Sequence, residues 1–308
     1  HAHGRWRYLD TPTGESSQVV ALRDGRPIGK RGSVRLPMVI EGRPVLGTLS
    51  EGLFIRPVDR SWDCYIGLVD ASRRENVKDK VALGFAISTP MAAPMAQRFG
   101  AMNLGPVPAY ARRLGKPMPA QPATDAAGIR SIDRFDASFD TLWQRLAPLR
   151  NVAVMKDANY LNWRYTDHPD IRYACLAVDG PNGVDGLAVY SVVDSLKGLV
   201  IQRPGEAAPA VRRGRLLDLL AADDDVATMR SLLTRVLGDM EQAGAVVAVA
   251  SARPGSPEAT ALQDAGFQLQ DAKFWNIDFT VSAGGPRRSG AALEVENWRF
   301  SLGDWLLG

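Results

Sequence analysis

Cysteine is almost missing from this chain. Its 308 residues hold two, Cys64 and Cys175, beside three histidines. Two thiols without histidine-rich surroundings make neither a disulfide framework nor a zinc site, so no metal is expected and both read as small buried hydrophobes. No apolar run approaches the roughly 20 residues that a membrane-crossing helix needs, and no charged-then-apolar leader is found, which sets the cytoplasm as the expected location. Tracts of one charge are missing too. The net charge of +3 is spread over many short arginine pairs. That argues against dedicated DNA binding, yet a local arginine cluster can still hold a phosphate. Nor is there a nucleophile-His-acid spacing, a Walker loop or a dinucleotide glycine fingerprint.

What the chain does have is a repeated phrase. Trp6-Arg7-Tyr8-Leu9-Asp10-Thr11-Pro12 returns as Trp163-Arg164-Tyr165-Thr166-Asp167-His168-Pro169, with Trp, Arg, Tyr, Asp and Pro shared, in a sequence holding only 7 Trp and 7 Tyr. The spacing is about half the chain, which predicts two copies of one domain rather than a short repeat array. A 45% share of hydrophobic residues suffices for a core in each. The tetrapeptide His1-Ala2-His3-Gly4 does not open on Met and is set aside, leaving the first fold without an opening helix before Trp6.

The pattern after each copy is alike. Asp24-Gly25 sits between β-rich runs, as Asp179-Gly180 does later, and both predict hairpins. In the first half, alternation over residues 33–40 and 45–55 predicts an antiparallel meander around Glu41-Gly42. A helix is expected over 62–74, a strand over 81–87, a helix over 92–99 stopped by Gly100, and a strand over 107–112. Residues 116–128 are rich in Pro and Ala and read as a linker, giving domains at 5–116 and 131–308 about a linker at 117–130. In the second half, an amphipathic helix is expected over 135–149 and another, capped by Asp157, carries Trp163. Strands at 198–202 and 245–250, helices at 223–242 and 257–265, and a final strand at 274–281 complete the same order.

A meander, a helix, a buried strand, a helix ending in Phe-Gly or Gly-Phe and a last strand resemble the Gcn5-related N-acetyltransferase (GNAT) fold. Residues 159–165, Asn-Tyr-Leu-Asn-Trp-Arg-Tyr, with His168-Pro169 and Tyr173, resemble bacterial GNAT-like proteins found with polysaccharide biosynthesis. The ending from Asn297 to Asp304 resembles their terminal strand, and tandem GNAT domains also resemble the FemABX aminoacyl transferases. The resemblance implies an α/β (α+β) fold of two tandem domains, each a mostly antiparallel mixed sheet flanked by helices. It also implies acyl transfer from acyl-CoA, such as acetyl-CoA, to an amino sugar or other glycan precursor. The FemABX likeness implies aminoacyl-tRNA as donor instead, and a non-catalytic scaffold in envelope assembly is the third reading.

The resemblance also directs attention to particular residues. Glu51, on the strand where such enzymes keep a general base, and Asp218, its counterpart among Leu216, Leu217, Leu219 and Leu220, are the candidate proton acceptors. Each is otherwise an exposed or paired strand residue. Arg60 and Ser61 fall where a pyrophosphate loop meets its helix, and are either phosphate contacts or an ordinary helix start. Asp63 and Tyr65 stand where that loop should carry glycine, and 221–229 holds three consecutive aspartates and no glycine. Arg164, Tyr165 and His168 are candidate substrate contacts. Since Arg7 and Tyr8 repeat the first two, a structural role competes with binding, while His168 faces Thr11 in the other copy and is free of that constraint.

Overall fold

The computed structural model describes residues 2–115, 128–181, 183–194, 211–283 and 290–305. The strand expected at 198–202 and nearly all of the expected linker lie outside these residues. The elements in chain order are α1 (Ala2–Tyr8), β1 (Ser17–Arg23), β2 (Arg26–Ile40), β3 (Arg43–Ile55), α2 (Trp62–Lys78), β4 (Leu83–Ser88), α3 (Ala92–Arg98), β5 (Met102–Pro106) and β6 (Tyr110–Arg113). There follow β7 (Ile129–Ser131), α4 (Ala137–Leu146), β8 (Val152–Val154), α5 (Ala158–Leu161), β9 (Ala174–Gly180), β10 (Gly183–Val193), β11 (Arg213–Ala221) and α6 (Val226–Gln242). Last come β12 (Val247–Ala250), α7 (Pro257–Asp264), β13 (Gln268–Leu269), β14 (Asp278–Ala283) and β15 (Trp298–Arg299). Residues 2–4, set aside on sequence, thus begin a helix, and α1 carries Trp6, Arg7 and Tyr8 of the repeated phrase.

Local chemistry explains the meander. Asp24 and Gly25 have φ of 49° and 73°, and Glu41 and Gly42 have 50° and 74°. Two positive values in succession make the tight hairpin turn that suits the twist of the strands it joins. The strands form two mixed sheets. One runs β15-β8-β2-β3-β4-β14-β5, with β1 also on β2, and the other runs β13-β6-β12-β11-β10-β9-β7. Besides the parallel edge pair β15 with β8, one central parallel pair in each sheet interrupts the antiparallel order: β3 with β4 over Gly47–Leu49 and β11 with β12 over Arg213–Arg215. Beyond those three residues the partners part, leaving a wedge at the carboxyl end of β3 and of β11.

The two halves of the sequence do not map one to one onto the two sheets. β6 leaves the first half to pair with β12 and β13, while β14 leaves the second half to lie between β4 and β5. The crossing segments bind one another, Val107 N–H donating to Ile277 O at 3.0 Å and Gln270 N–H to Ala109 O at 2.8 Å. The strand expected over 107–112 is divided here by Pro106 and Pro108, neither of which can donate to a ladder. The short strands β8 and β15, although late in the chain, extend the first sheet beside β2. Each sheet therefore takes strands from both sequence halves.

The helices cover the sheets for the reason their spacing predicts. Met229, Leu232, Leu233, Val236, Leu237 and Met240 form one buried stripe on α6, whose N-terminus is capped by Asp225 accepting from Ala227 and Thr228 N–H. A second buried cluster runs without a break from Trp6, Val34 and Phe85 to Phe139, Leu187, Leu217 and Trp305, so both sheets share one core. Among the described residues no helix is long and apolar enough to cross a membrane, which says nothing of a β-barrel.

Candidate active site

The second copy of the repeated phrase lies in a widened helical turn, Asn162–Thr166, that continues α5. Asp157 caps α5 as expected, accepting from Tyr160 N–H at 2.7 Å. A π turn is a local distortion frequent at functional sites, and here it buries three large side chains in three directions. Trp163 goes to Trp6. The indoles stack with centroids 5.1 Å apart, Trp6 Nε1 donates to Trp163 O at 2.6 Å, and Trp163 Nε1 donates to Trp6 O at 2.9 Å. Arg164 is fully buried and donates to Gly303 O (2.8 Å), Trp305 O (2.9 Å) and Tyr173 Oη (3.0 Å). It ties the turn to the end of the described chain. Tyr165 donates its hydroxyl to Asp218.

Asp218, on β11, is 1% exposed. Besides Tyr165 it accepts from Ser301 Oγ at 2.5 Å and meets Lys156 Nζ at 3.1 Å. Lys156 Nζ also binds Asp304, and Ser301 N–H donates to Asp304 at 2.9 Å. One ammonium thus lies between two buried carboxylates, with two hydroxyls and a backbone N–H taking up the remaining acceptor sites, as buried charge requires. Burial lowers an ammonium's pKa, but Asp218 and Asp304 outweigh it and hold Lys156 above its ordinary value. Burial raises the pKa of Asp304 and of Tyr165, with Asp218 adding to both. Gly303 belongs to the same arrangement: a Cβ there would fall on the Tyr165 hydroxyl and within 2.6 Å of Asp218.

The first half has a simpler counterpart. Tyr8 lies over Gly32, and its hydroxyl is 3.4 Å from Glu51 on β3, which Arg7 Nε approaches at 3.3 Å. Burial raises the Glu51 pKa against the opposing pull of Arg7. In both halves, then, the tyrosine of the repeated phrase meets the acid expected on sequence, Tyr8 with Glu51 and Tyr165 with Asp218.

The wedges differ. The one beside β11 holds a cavity of about 40 Å³ lined by Lys156, Asp218, Ser251, Ser301 and Asp304, room for a few waters. Arginines and acids alternate around it: Arg150 binds Asp224 at 2.7 Å and Glu258 at 3.6 Å, and Arg299 binds Asp224 at 2.5 Å and Glu258 at 3.3 Å. Asp223 and Asp224 there have φ of 55° and 58°, a backbone usually given to glycine but tolerated by aspartate. The N-terminal N–H groups of α6 are taken by Asp225, so no phosphate is expected at this helix. At α2, Ser61 caps only the N–H of Cys64, at 3.2 Å, and Arg60 is exposed beside it. Tyr65 falls in the helix expected over 62–74. It lies within α2 with its ring 5.3 Å from Phe99, while Asp63 is exposed in the first turn.

His168 stands apart from the acids. Its Nδ1 accepts from Asp170 and Ile171 N–H at 3.2 and 3.1 Å, and its ring lies 4.2 Å from that of Trp6. Burial, helped by Arg164, lowers its pKa to about 4. Lys156 and Asp304 were not singled out on sequence. A lysine closing the apolar run Val152-Ala153-Val154-Met155 and the capping-box spacing Ser301-x-x-Asp304 were the signals available.

No family model and no curated protein matches this sequence. Solved structures match its fold. A Gcn5-related N-acetyltransferase from Anabaena variabilis superimposes with a TM-score of 0.60 at 11% identity over 87% of this chain and 63% of its own. A probable N-acyltransferase from Enterococcus faecalis gives 0.57 at 10% over 87% and 62%. N-myristoyltransferase from Saccharomyces cerevisiae, with bound myristoyl-CoA and inhibitors, gives 0.60 at 13% over 92% and 71%. The chain spans less than two thirds of the length of the two bacterial proteins. Together with the sheet order, the likeness defines the fold as two-domain and GNAT-like.

Replacing Lys156 by Met leaves two buried carboxylates without their shared cation. The expected loss is about 3–5 kcal/mol in urea unfolding, and a loss below 1 kcal/mol would show the cluster to be better solvated than its burial implies. His168 gives a pH test. Its folded pKa lies below the unfolded value near 6.5, so as pH falls from 6.5 to about 4 the unfolded chain takes up a proton that the folded one refuses. Stability is expected to fall over that window by on the order of 2 kcal/mol, and His168→Asn, whose Oδ1 replaces Nδ1 as acceptor, should remove that part of the pH slope.

Proposed function

We propose that the protein is an acyltransferase that takes its acyl group from a CoA thioester held by the first half and gives it to an amine or hydroxyl of a small acceptor. The difference between the two wedges carries this reading. Beside β11 the space is narrowed by Ser301 and Asp304 and ringed by the paired charges of Arg150 and Arg299, whereas beside β3 Asp59 pairs with Arg23 and Arg56 and the start of α2 keeps an exposed Arg60. Support comes also from the fold likeness to an enzyme crystallised with myristoyl-CoA. Arg60 and Ser61, with the N-terminus of α2, are the residues we assign to the donor's phosphates.

Glu51 is the better placed proton acceptor. It lies just beyond the point where β3 and β4 part, keeps 17% side-chain exposure, and has a raised pKa that suits proton uptake. Asp218 is enclosed. In the step proposed, the acceptor nitrogen or oxygen bonds to the thioester carbonyl carbon, its proton passes to Glu51, and the carbon–sulfur bond breaks to release CoA. We read the two Trp-Arg-Tyr segments as copies from a duplicated module, and give Arg164, Tyr165 and His168 a supporting role in the second. An amino sugar or glycan precursor as acceptor, handled in the cytoplasm, rests on the family resemblance. The closed second wedge favours one further reading, that the second half binds or scaffolds without reacting.

Calorimetry with acetyl-CoA and a longer acyl-CoA, and thiol release with amino sugars as acceptors, test this. One donor per chain is expected, with kcat falling about 10²-fold or more in Glu51→Gln while donor affinity stays. No binding of either donor, or undiminished turnover in that variant, contradicts the reading.

A further inference from the structure

The first half contains a second cavity. It measures about 240 Å³ and lies between α2, α3 and the sheet, over β3, β4 and β14. Arg31, Ser50, Ser72, Arg73 and Asn76 make its polar side; Val69, Val77, Ala96, Phe99, Met102 and Leu293 make its apolar side. Among the described residues its lining contains no Asp or Glu. On α2 its lining runs from Tyr65 to Val77, beginning one turn on from the Ser61 end assigned above to the donor's phosphates.

Arg31 is what makes the cavity chemically specific. Its Nη2 donates to Ser50 Oγ at 3.3 Å, a hydrogen bond at the long end of the range. Its Nε is buried with no hydrogen-bond partner, and among the described residues it has no carboxylate at ion-pair distance. Arg150 and Arg299, by contrast, are ion-paired with Asp224 and Glu258, although Arg299 Nε is also without a hydrogen bond, and Arg164 donates to two carbonyls and Tyr173; Arg215, like Arg31, has no carboxylate at ion-pair distance among the described residues, but it does not line this cavity. Burial pushes the Arg31 pKa down, Tyr65 opposing and Arg73 reinforcing. A desolvated guanidinium without a counter-charge is unfavourable, and its planar fork matches the paired oxygens of a carboxylate or phosphate.

We infer that this cavity binds a small organic anion, whose carboxylate or phosphate pairs with Arg31 while its short apolar body lies against Phe99, Val69 and Leu293. Ser50, Ser72 and Asn76 supply further hydrogen bonds to the charged end. The volume suits a ligand of a few carbons and is too small for a whole nucleotide-bearing donor. The site therefore serves an acceptor, a product or an effector distinct from the thioester.

Thermal shift and calorimetry on the full chain with two probes, hexanoate and butyl phosphate, test the inference and separate the two anion types. Saturable binding of at least one at millimolar concentration is expected, weakened tenfold or more in Arg31→Met. That variant, which replaces an unpaired cation by an apolar chain of similar length, should melt no lower than the parent. Absence of binding by both probes, or equal binding to the variant, overturns the proposal. So does exclusion of the bound probe by acetyl-CoA, which would hand the cavity to the donor. Should Arg31→Met fail to fold, crystals of the parent soaked in 4-bromobutanoate give the answer: bromine density beside Arg31 upholds the site, and density elsewhere or none overturns it.

Discussion

At the centre of the molecule two indole N–H groups each bond to the other's backbone carbonyl. Such a contact, in which each partner does to the other what is done to it, is the mark of an isologous interface, here closed within one chain. It fixes α1 against the turn that follows α5 and brings both Trp-Arg-Tyr segments to the shared core. From there each tyrosine reaches an acid on the neighbouring sheet. The strand exchange repeats the same reciprocity on a larger scale, because β6 and β14 complete the sheets of the opposite halves.

Reciprocity of frame does not extend to chemistry. In the second half, the segment from Phe300 to Asp304 lies against β11, and the charges it brings are neutralised by Lys156 and the nearby arginines. In the first half, Arg7 and Tyr8 of α1 lie against Glu51, which keeps some contact with solvent. Two like strand ends with different surroundings, one closed by its own chain and the other keeping a partly exposed acid, are the physical basis of the proposed division between the halves.

Much of this frame was legible in the sequence, because hairpin turns, amphipathic stripes and caps are local. Asp24-Gly25 announced its turn, Asp157 its cap, and the α6 stripe its buried face. The repeated phrase disclosed the two units and directed attention to the acids its tyrosines touch. The exchange of β6 and β14 was hidden, since pairing partners more than a hundred residues apart leave no mark on local pattern. Lys156 and Asp304 were missed for the same reason: each looks ordinary until the fold sets Lys156 between Asp304 and Asp218 of β11. Arg164 and His168 stand out in the motif as polar side chains; in the fold Arg164 donates to carbonyls remote in sequence, while His168 accepts from the backbone N–H groups of Asp170 and Ile171 close by.

Because neither sheet is complete without a strand from the other half, the two units are expected to fold and unfold as one. Urea unfolding followed in parallel by tryptophan fluorescence and far-ultraviolet circular dichroism, on the parent and on Trp6→Ala, tests that most directly. The account predicts a single coincident transition in both proteins, moved as a whole to lower urea by the substitution, with a loss of about 3–5 kcal/mol. Two separate transitions, or a variant in which only part of the signal moves, would contradict it.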